Sequence, residues 1–147
     1  MVLNNSNLFS ESFNQIEAFL KTNISDPKNR HKKRWIYSSE PFVNDKGFKG
    51  YPYIVISIDM TEDTRSFDRS TSNKTFRVLL TVRAKDSSKL DTISDEIISK
   101  FRDETLTDSL SDFKTISIDT TPFETSLDQN GEKVVSRLIG LVGEKRI

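Results

Sequence analysis

The chain has 147 residues, no cysteine, and 22 basic residues against 22 acidic ones, so its formal charge is zero. That length suits one domain with one core, and the lack of cysteine excludes disulfides, zinc–thiolate sites and thiol catalysis. The neutral total argues against a general nucleic-acid coat or a polybasic membrane binder.

Hydrophobic residues make up 34% of the chain and charged residues 30%, with ten Phe, three Tyr and one Trp supplying much of the apolar bulk. A polar chain with this many aromatics is suited to burying part of its apolar area against a partner. No apolar run approaches the ~20 residues of a membrane span. The opening segment, MVLNNSNLFSES, lacks the basic start and apolar stretch of a secretory signal. An intracellular site of synthesis and no membrane partner are expected.

The first element is a helix over about 6–22. Asn5, Ser6 and Asn7 offer N-caps, and Phe9, Phe13, Ile16 and Leu20 fall on one face, which Leu8 and Phe19 widen. Ser25-Asp26-Pro27 marks its stop. The basic run KNRHKKR (28–34) follows, and WIYSSEPF (35–42) reads as a short strand closed, or set on an edge, by Pro41. VNDKGFKG (43–50) reads as a loop. YPYIVISIDM (51–60) is a strand with Ile54, Ile56, Ile58 and Met60 toward the core. TEDTRSFDRSTSN (61–73) reads as a long polar loop or hairpin tip.

In KTFRVLLTVRAK (74–85), Phe76, Val78, Leu80 and Val82 form one face of a strand. SSKLDTISDEIISKF (87–101) then switches to helical spacing, with Leu90, Ile93, Ile97 and Phe101 in a stripe and Ser87 or Ser88 as the cap. After a linker (103–112), residues 113–127 read as a strand broken at Pro122. Asp128-Gln129-Asn130-Gly131 is a hairpin turn with the Asn-Gly signal. The return strand, 132–147, is apolar on both faces around Val134 to Val142, as a central or covered strand would be. The expected fold is α+β: a mainly antiparallel sheet with two amphipathic helices packed on it, in the order α-β-β-β-α-β-β. One domain spans 1–147, and the end segments 1–5 and 144–147 read as flexible.

Chemistry-bearing motifs are sparse. His31, the sole histidine, sits among cations that would lower its pKa and leave it solvated. No second histidine, phosphate-cradling glycine loop or paired nucleophile and base is present, so no catalytic residue, metal or cofactor is expected. Asp59, Glu62, Asp63 and Asp68 cluster, yet Arg65 and Arg69 lie among them, and local ion pairing accounts for the group without a cation. The basic run admits two readings. Lys28, Arg30, Lys32, Lys33 and Arg34 could grip a nucleic-acid backbone while Trp35 stacks a base. Alternatively, the run is a solvated charged loop that answers an acidic surface on a neighbour.

Taken together, the N-terminal amphipathic helix, the Trp-containing strand, Tyr51-Pro52 before Tyr53-Ile54-Val55-Ile56, the long polar connection to Phe76-Arg77-Val78-Leu79-Leu80-Thr81-Val82, the helix and the final hairpin form a recognisable order. From about residue 8 to 143, it resembles the tail terminator (tail completion) proteins of long-tailed bacteriophages and their viral relatives. The basic run is not part of that likeness. The resemblance implies a structural virion protein: a hexameric ring on the head-proximal end of the tail tube. Such a ring would stop tube growth, receive a head-closure or connector protein, and let DNA through its channel without sequence-specific contact.

A ring needs different patches to meet. Loops 43–50 and 61–73 are candidate contacts, with Phe48, Phe67, Asp68 and Arg69 as interface residues and the linker 103–112 as a third segment. Asp59, Glu62 and Asp63 are candidate channel-lining acids. Another neck component (a head-closure or adaptor protein), or a small nucleic-acid-binding module using 28–34, is the alternative.

Overall fold

The structure is a computed structural model that describes residues 8–30, 35–65, 72–103 and 114–146. The elements are α1 (Leu8–Asn23), β1 (Ile36–Tyr37), β2 (Tyr53–Arg65), β3 (Ser72–Ala84), α2 (Ser87–Arg102), β4 (Lys114–Thr120), β5 (Glu124–Leu127) and β6 (Lys133–Arg146). This is an α+β fold with the element order read from the sequence. The strands form one six-stranded sheet in the order β1-β2-β3-β6-β4, with β5 also paired to β6. Every pairing is antiparallel except β1 with β2, which is parallel and joins only Ile36 to Ile54 and Tyr37 to Val55.

Side-chain alternation decides which face the helices cover. Ile54, Ile56, Phe76, Val78, Leu80, Val82, Ala84, Val135, Ile139 and Leu141 share one face of the sheet and are buried there. Both helices pack on that face. Helix α1 contributes Ile16, Phe19 and Leu20, and α2 contributes Leu90, Ile93, Ile97 and Phe101. Phe19 and Phe101 meet with ring centroids 4.6 Å apart. Each such side chain is worth about 1.5–3 kcal/mol on burial, so this layer supplies the main stabilising term. Polar ties set the helix positions: Glu96 Oε1 accepts from the Ser25 N–H at 2.9 Å, and Arg137 on β6 reaches Asp91 at 2.8 Å.

Several details differ from the sequence reading. The stretch 61–73 is not wholly loop: β2 continues to Arg65 and β3 begins at Ser72, so these residues extend a hairpin. The α2 cap is Asp86, not Ser87 or Ser88; its carboxylate accepts from the Lys89 N–H at 2.8 Å, which satisfies a donor at the start of the helix. The hairpin turn read at 128–131 is present, and it joins β5 to β6. The Gly131 N–H donates to the Asp128 carbonyl at 3.0 Å, the Asp128 N–H donates to the Glu132 carbonyl at 2.9 Å, and Gly131 alone in the turn has positive φ, at 75°. This is a three-residue loop with a left-handed glycine. Residues 144–146 belong to β6, where Arg146 pairs with Asn73. The proposed caps Asn5, Ser6 and Asn7 lie outside the described residues.

Candidate functional site

On the sheet face away from the helices, a second cluster forms at one end. Tyr51, Tyr53, Val55 and Val134 are buried together, with Tyr37 and Phe48 packed against them. Phe48 stands edge-on to Tyr51 (5.4 Å between centroids) and to Tyr53 (5.6 Å). This end is closed by residues far apart in sequence. Arg83 Nη2 lies 2.6 Å from Glu40 Oε1, and the Tyr53 hydroxyl donates to Glu40 Oε2 at 3.0 Å. The Tyr51 hydroxyl donates to Asp128 Oδ2 at 3.1 Å. Lys85 pairs with Glu132 and lies 3.6 Å from Asp128, with its ammonium 4.6 Å from the Tyr51 ring centroid. The Val43 N–H donates to Gln129 Oε1 at 2.9 Å and ties the loop after β1 to the β5–β6 turn.

Between these groups lies an open cleft of about 280 Å³, lined by Glu40, Tyr51, Tyr53, Arg83, Asp128 and Gln129 among others. Its electrostatics are self-satisfied. Burial, followed by the hydrogen bond to Asp128, pushes Tyr51 up to about 12. Burial and the Glu40 charge push the Tyr53 hydroxyl well above its ordinary value. Burial alone would lower Arg83, but the Glu40 hydrogen bond and charge more than offset it. Lys85 is raised, chiefly by its bond to Glu132. Asp128 is lowered, first by the Glu132 backbone N–H and also by that of Asn130, the Tyr51 hydroxyl and Lys85. Each acid therefore already holds a donor, an arrangement that fastens a hairpin and a loop to the sheet. Among the described residues, no group of three or more His, Cys, Asp or Glu is placed to hold a metal. Among the described residues, no helix is long and apolar enough to cross a membrane.

The candidate residues from the sequence separate into distinct places. Phe48 is half-buried in the aromatic cluster, where it packs within its own chain. Asp59 is exposed on β2, on the face without helices; Glu62 and Asp63 follow on the same strand, paired opposite Thr75 and Lys74. Phe67, Asp68 and Arg69 lie outside the described residues, as do His31, Lys32, Lys33, Arg34 and most of the linker. Lys28 is exposed.

Two members of the basic group need correction. Trp35 is 0% exposed, so no base can stack on it while the core is closed. Arg30 is also enclosed: its side chain lies 3.3 Å from Asp26 and donates to the Gly50 carbonyl at 3.1 Å, with its guanidinium carbon 5.8 Å from the Trp35 ring centroid. Burial lowers its pKa in spite of Asp26. A charge run read along the sequence places every cation in solvent, whereas here tertiary packing turns Arg30 inward to hold β1 against the loop at Gly50.

Sequence reasoning did not find the Glu40–Arg83–Tyr53 and Tyr51–Asp128–Lys85 groups. One signal was available: Tyr51, Tyr53 and Val55 fall at every second position and so share a face.

The sheet edges are the other exposed feature. Among the described residues, β2 has no strand beside it beyond Val55, and the outer sides of β4 and β5 have none at all. Ser117, Asp119, Thr120 and all four residues of β5 are exposed. Among the described residues, Phe42, Phe123 and Leu127 are the large apolar side chains most open to solvent, at 68%, 49% and 71%, and Leu127 lines the cleft.

No protein-family model matches the chain, and no curated protein matches it. Matching chains are found among solved structures. One comes from a structure titled "Virion of native gene transfer agent (GTA) particle"; it is 12% identical, with a TM-score of 0.45, over 95% of this chain and 92% of that chain.

Proposed function

We propose that this chain is a non-enzymatic structural protein of a virion, a ring-forming tail terminator. It would cap the head-proximal end of the tail tube and receive a head-closure or connector protein, with DNA passing through the ring. The element order from residue 8 to 143 supports the family reading.

The observation that carries the assembly role is a pair of unlike sheet edges that have no strand beside them among the described residues. A closed ring of identical subunits needs two different, complementary patches on each copy, and β2 and β4 lie at opposite sides of this sheet. Both helices occupy a single face. A ring with the helices outward would turn the acids Asp59 and Asp119, along with Arg77, toward its channel, where the acids would repel the DNA backbone. The cleft chemistry fits the same reading, because its ionic groups are spent on one another and offer nothing to a substrate.

The test is the native mass of the purified chain over a range of concentrations. A sixfold assembly is expected. A lone monomer at every concentration, or catalytic turnover by the purified material, would overturn the proposal.

A further inference from the structure

Strand directions determine what the open edges can accept. β3 is antiparallel to β2, β6 to β3, and β4 to β6. Strands β2 and β6 therefore run one way, and β3 and β4 the other. When two copies stand side by side in the same orientation, β4 of one is next to β2 of the other, and these two run in opposite directions. The alternation then continues across the junction without a parallel seam.

The residue rows also match. Following the pairing across the sheet, Ile58, Val78, Leu141 and Ile118 form one row, and Asp59, Arg77, Val142 and Ser117 form the next. Ile58 and Ile118 lie at opposite edges of the first row, and each is only partly buried against the core. Apposed edges would cover both. Farther along, Glu62, Thr75, Glu144 and Lys114 share a row, so the edge residue types there carry opposite charges.

We propose that successive copies of this chain join by antiparallel strand pairing, the outer edge of β2 on one copy against the outer edge of β4 on the next, so that one sheet continues around the assembly. This rests on the ring reading and specifies its junction. Backbone hydrogen bonds supply the adhesion, and a register at or two residues from the Ile58–Ile118 row keeps both isoleucines on the helix-bearing face, whereas a slip of one residue would set Ile58 opposite a neighbour's residue that faces the other way.

The chain has no cysteine, which gives a clean background for cross-linking. Ser57→Cys or Asp59→Cys on β2 is combined with Ser117→Cys or Asp119→Cys on β4, giving four double variants that cover the aligned rows and those two residues away. Within one copy these strands lie three spacings apart, ~14 Å, beyond the reach of a disulfide. On mild oxidation, at least one combination should give a ladder of covalent multimers rising to the ring size. A control pairing Ser57→Cys with Ser99→Cys on α2 should give none. Hydrogen exchange of the unmodified chain provides a second reading that needs no variant: amides of 57–59 and 117–120 should exchange about tenfold or more slowly in the assembly than in diluted monomer.

An intact assembly with no ladder in any combination and unchanged exchange at both edges would overturn the junction while leaving the ring. Absence of any assembly would overturn both. Protection of both edges only when a foreign strand is added would assign them to a different partner and overturn self-pairing.

Discussion

Along β3, Phe76, Val78, Leu80 and Val82 are completely buried beneath the helices, while Leu79 and Thr81, one position away on the same strand, stay partly in solvent and Arg77 is exposed. The helix-bearing face is held by apolar area. The opposite face is closed only at one end, by two tyrosines, a loop and a hairpin tied with charged hydrogen bonds. Stability therefore resides on one side of the sheet, and the other side is left available for contact. A protein that works by shape needs this division: a rigid layer that fixes the strands, and a second surface whose residues can vary without unfolding it.

The sharpest way to break this comparison is a pair of neighbouring substitutions. Leu80→Ala empties a packed site and should cost about 2–5 kcal/mol, whereas Leu79→Ala on the open face should cost less than about 1 kcal/mol. Urea unfolding midpoints measure both, and equal losses would refute the two-face account.

Next in size is the α2 cap. Asp86→Ala should cost about 1 kcal/mol by leaving the Lys89 N–H without its acceptor. Thermal unfolding should show it, with Asp86→Asn recovering most of the loss.

The clamp on the other face should respond to pH. Tyr51 has its pKa raised from 10.0 to about 12, so its contribution is complete below pH 10 and is lost as pH rises through about 12. Asp128 is lowered from 3.8, so its contribution is present above that value and is lost as pH falls through its folded pKa. Phenolate absorbance should show a step near pH 12 that Tyr51→Phe removes, leaving the still later ionisation of Tyr53. That substitution should cost about 1 kcal/mol at neutral pH.

The smallest effect belongs to the partly exposed Glu40–Arg83 pair. Glu40→Gln should cost at most about 1 kcal/mol, and the difference from the parent chain should shrink in roughly 1 M salt. The Leu80→Ala difference should persist under the same conditions.

Local patterns made the skeleton legible. The alternation of Phe76, Val78, Leu80 and Val82 and the stripe of Leu90, Ile93, Ile97 and Phe101 each name a period and a buried face, and the structure has both. The centrality of β6 also followed from Val134 to Val142 being apolar on both faces. What could not be read depended on partners distant in sequence. Glu40 meets Arg83 and Tyr51 meets Asp128 only after the sheet has formed, and nothing near residue 40 or 51 announces it. The parallel pairing of β1 escaped for the same reason, since two residues carry no directional signal. Asp86 was passed over as a cap because two serines beside it satisfy the same rule. Of the candidate site, the exposed position of Asp59 followed from alternation, but Arg30 and Trp35 were placed by their neighbours in sequence and moved by their neighbours in space.

The position of β6 in the chain also has a kinetic side. It touches β3, β4 and β5, yet every other element precedes it. The β2–β3 hairpin can close early from nearby residues, whereas the rest of the sheet must wait for a strand distant in sequence. Until that strand docks, the apolar stripe of α2 lacks part of its cover. Such long-range closure slows folding and prolongs the exposure of sticky intermediates. Docking of β6 should therefore be the step at which folding intermediates lose most of their tendency to aggregate.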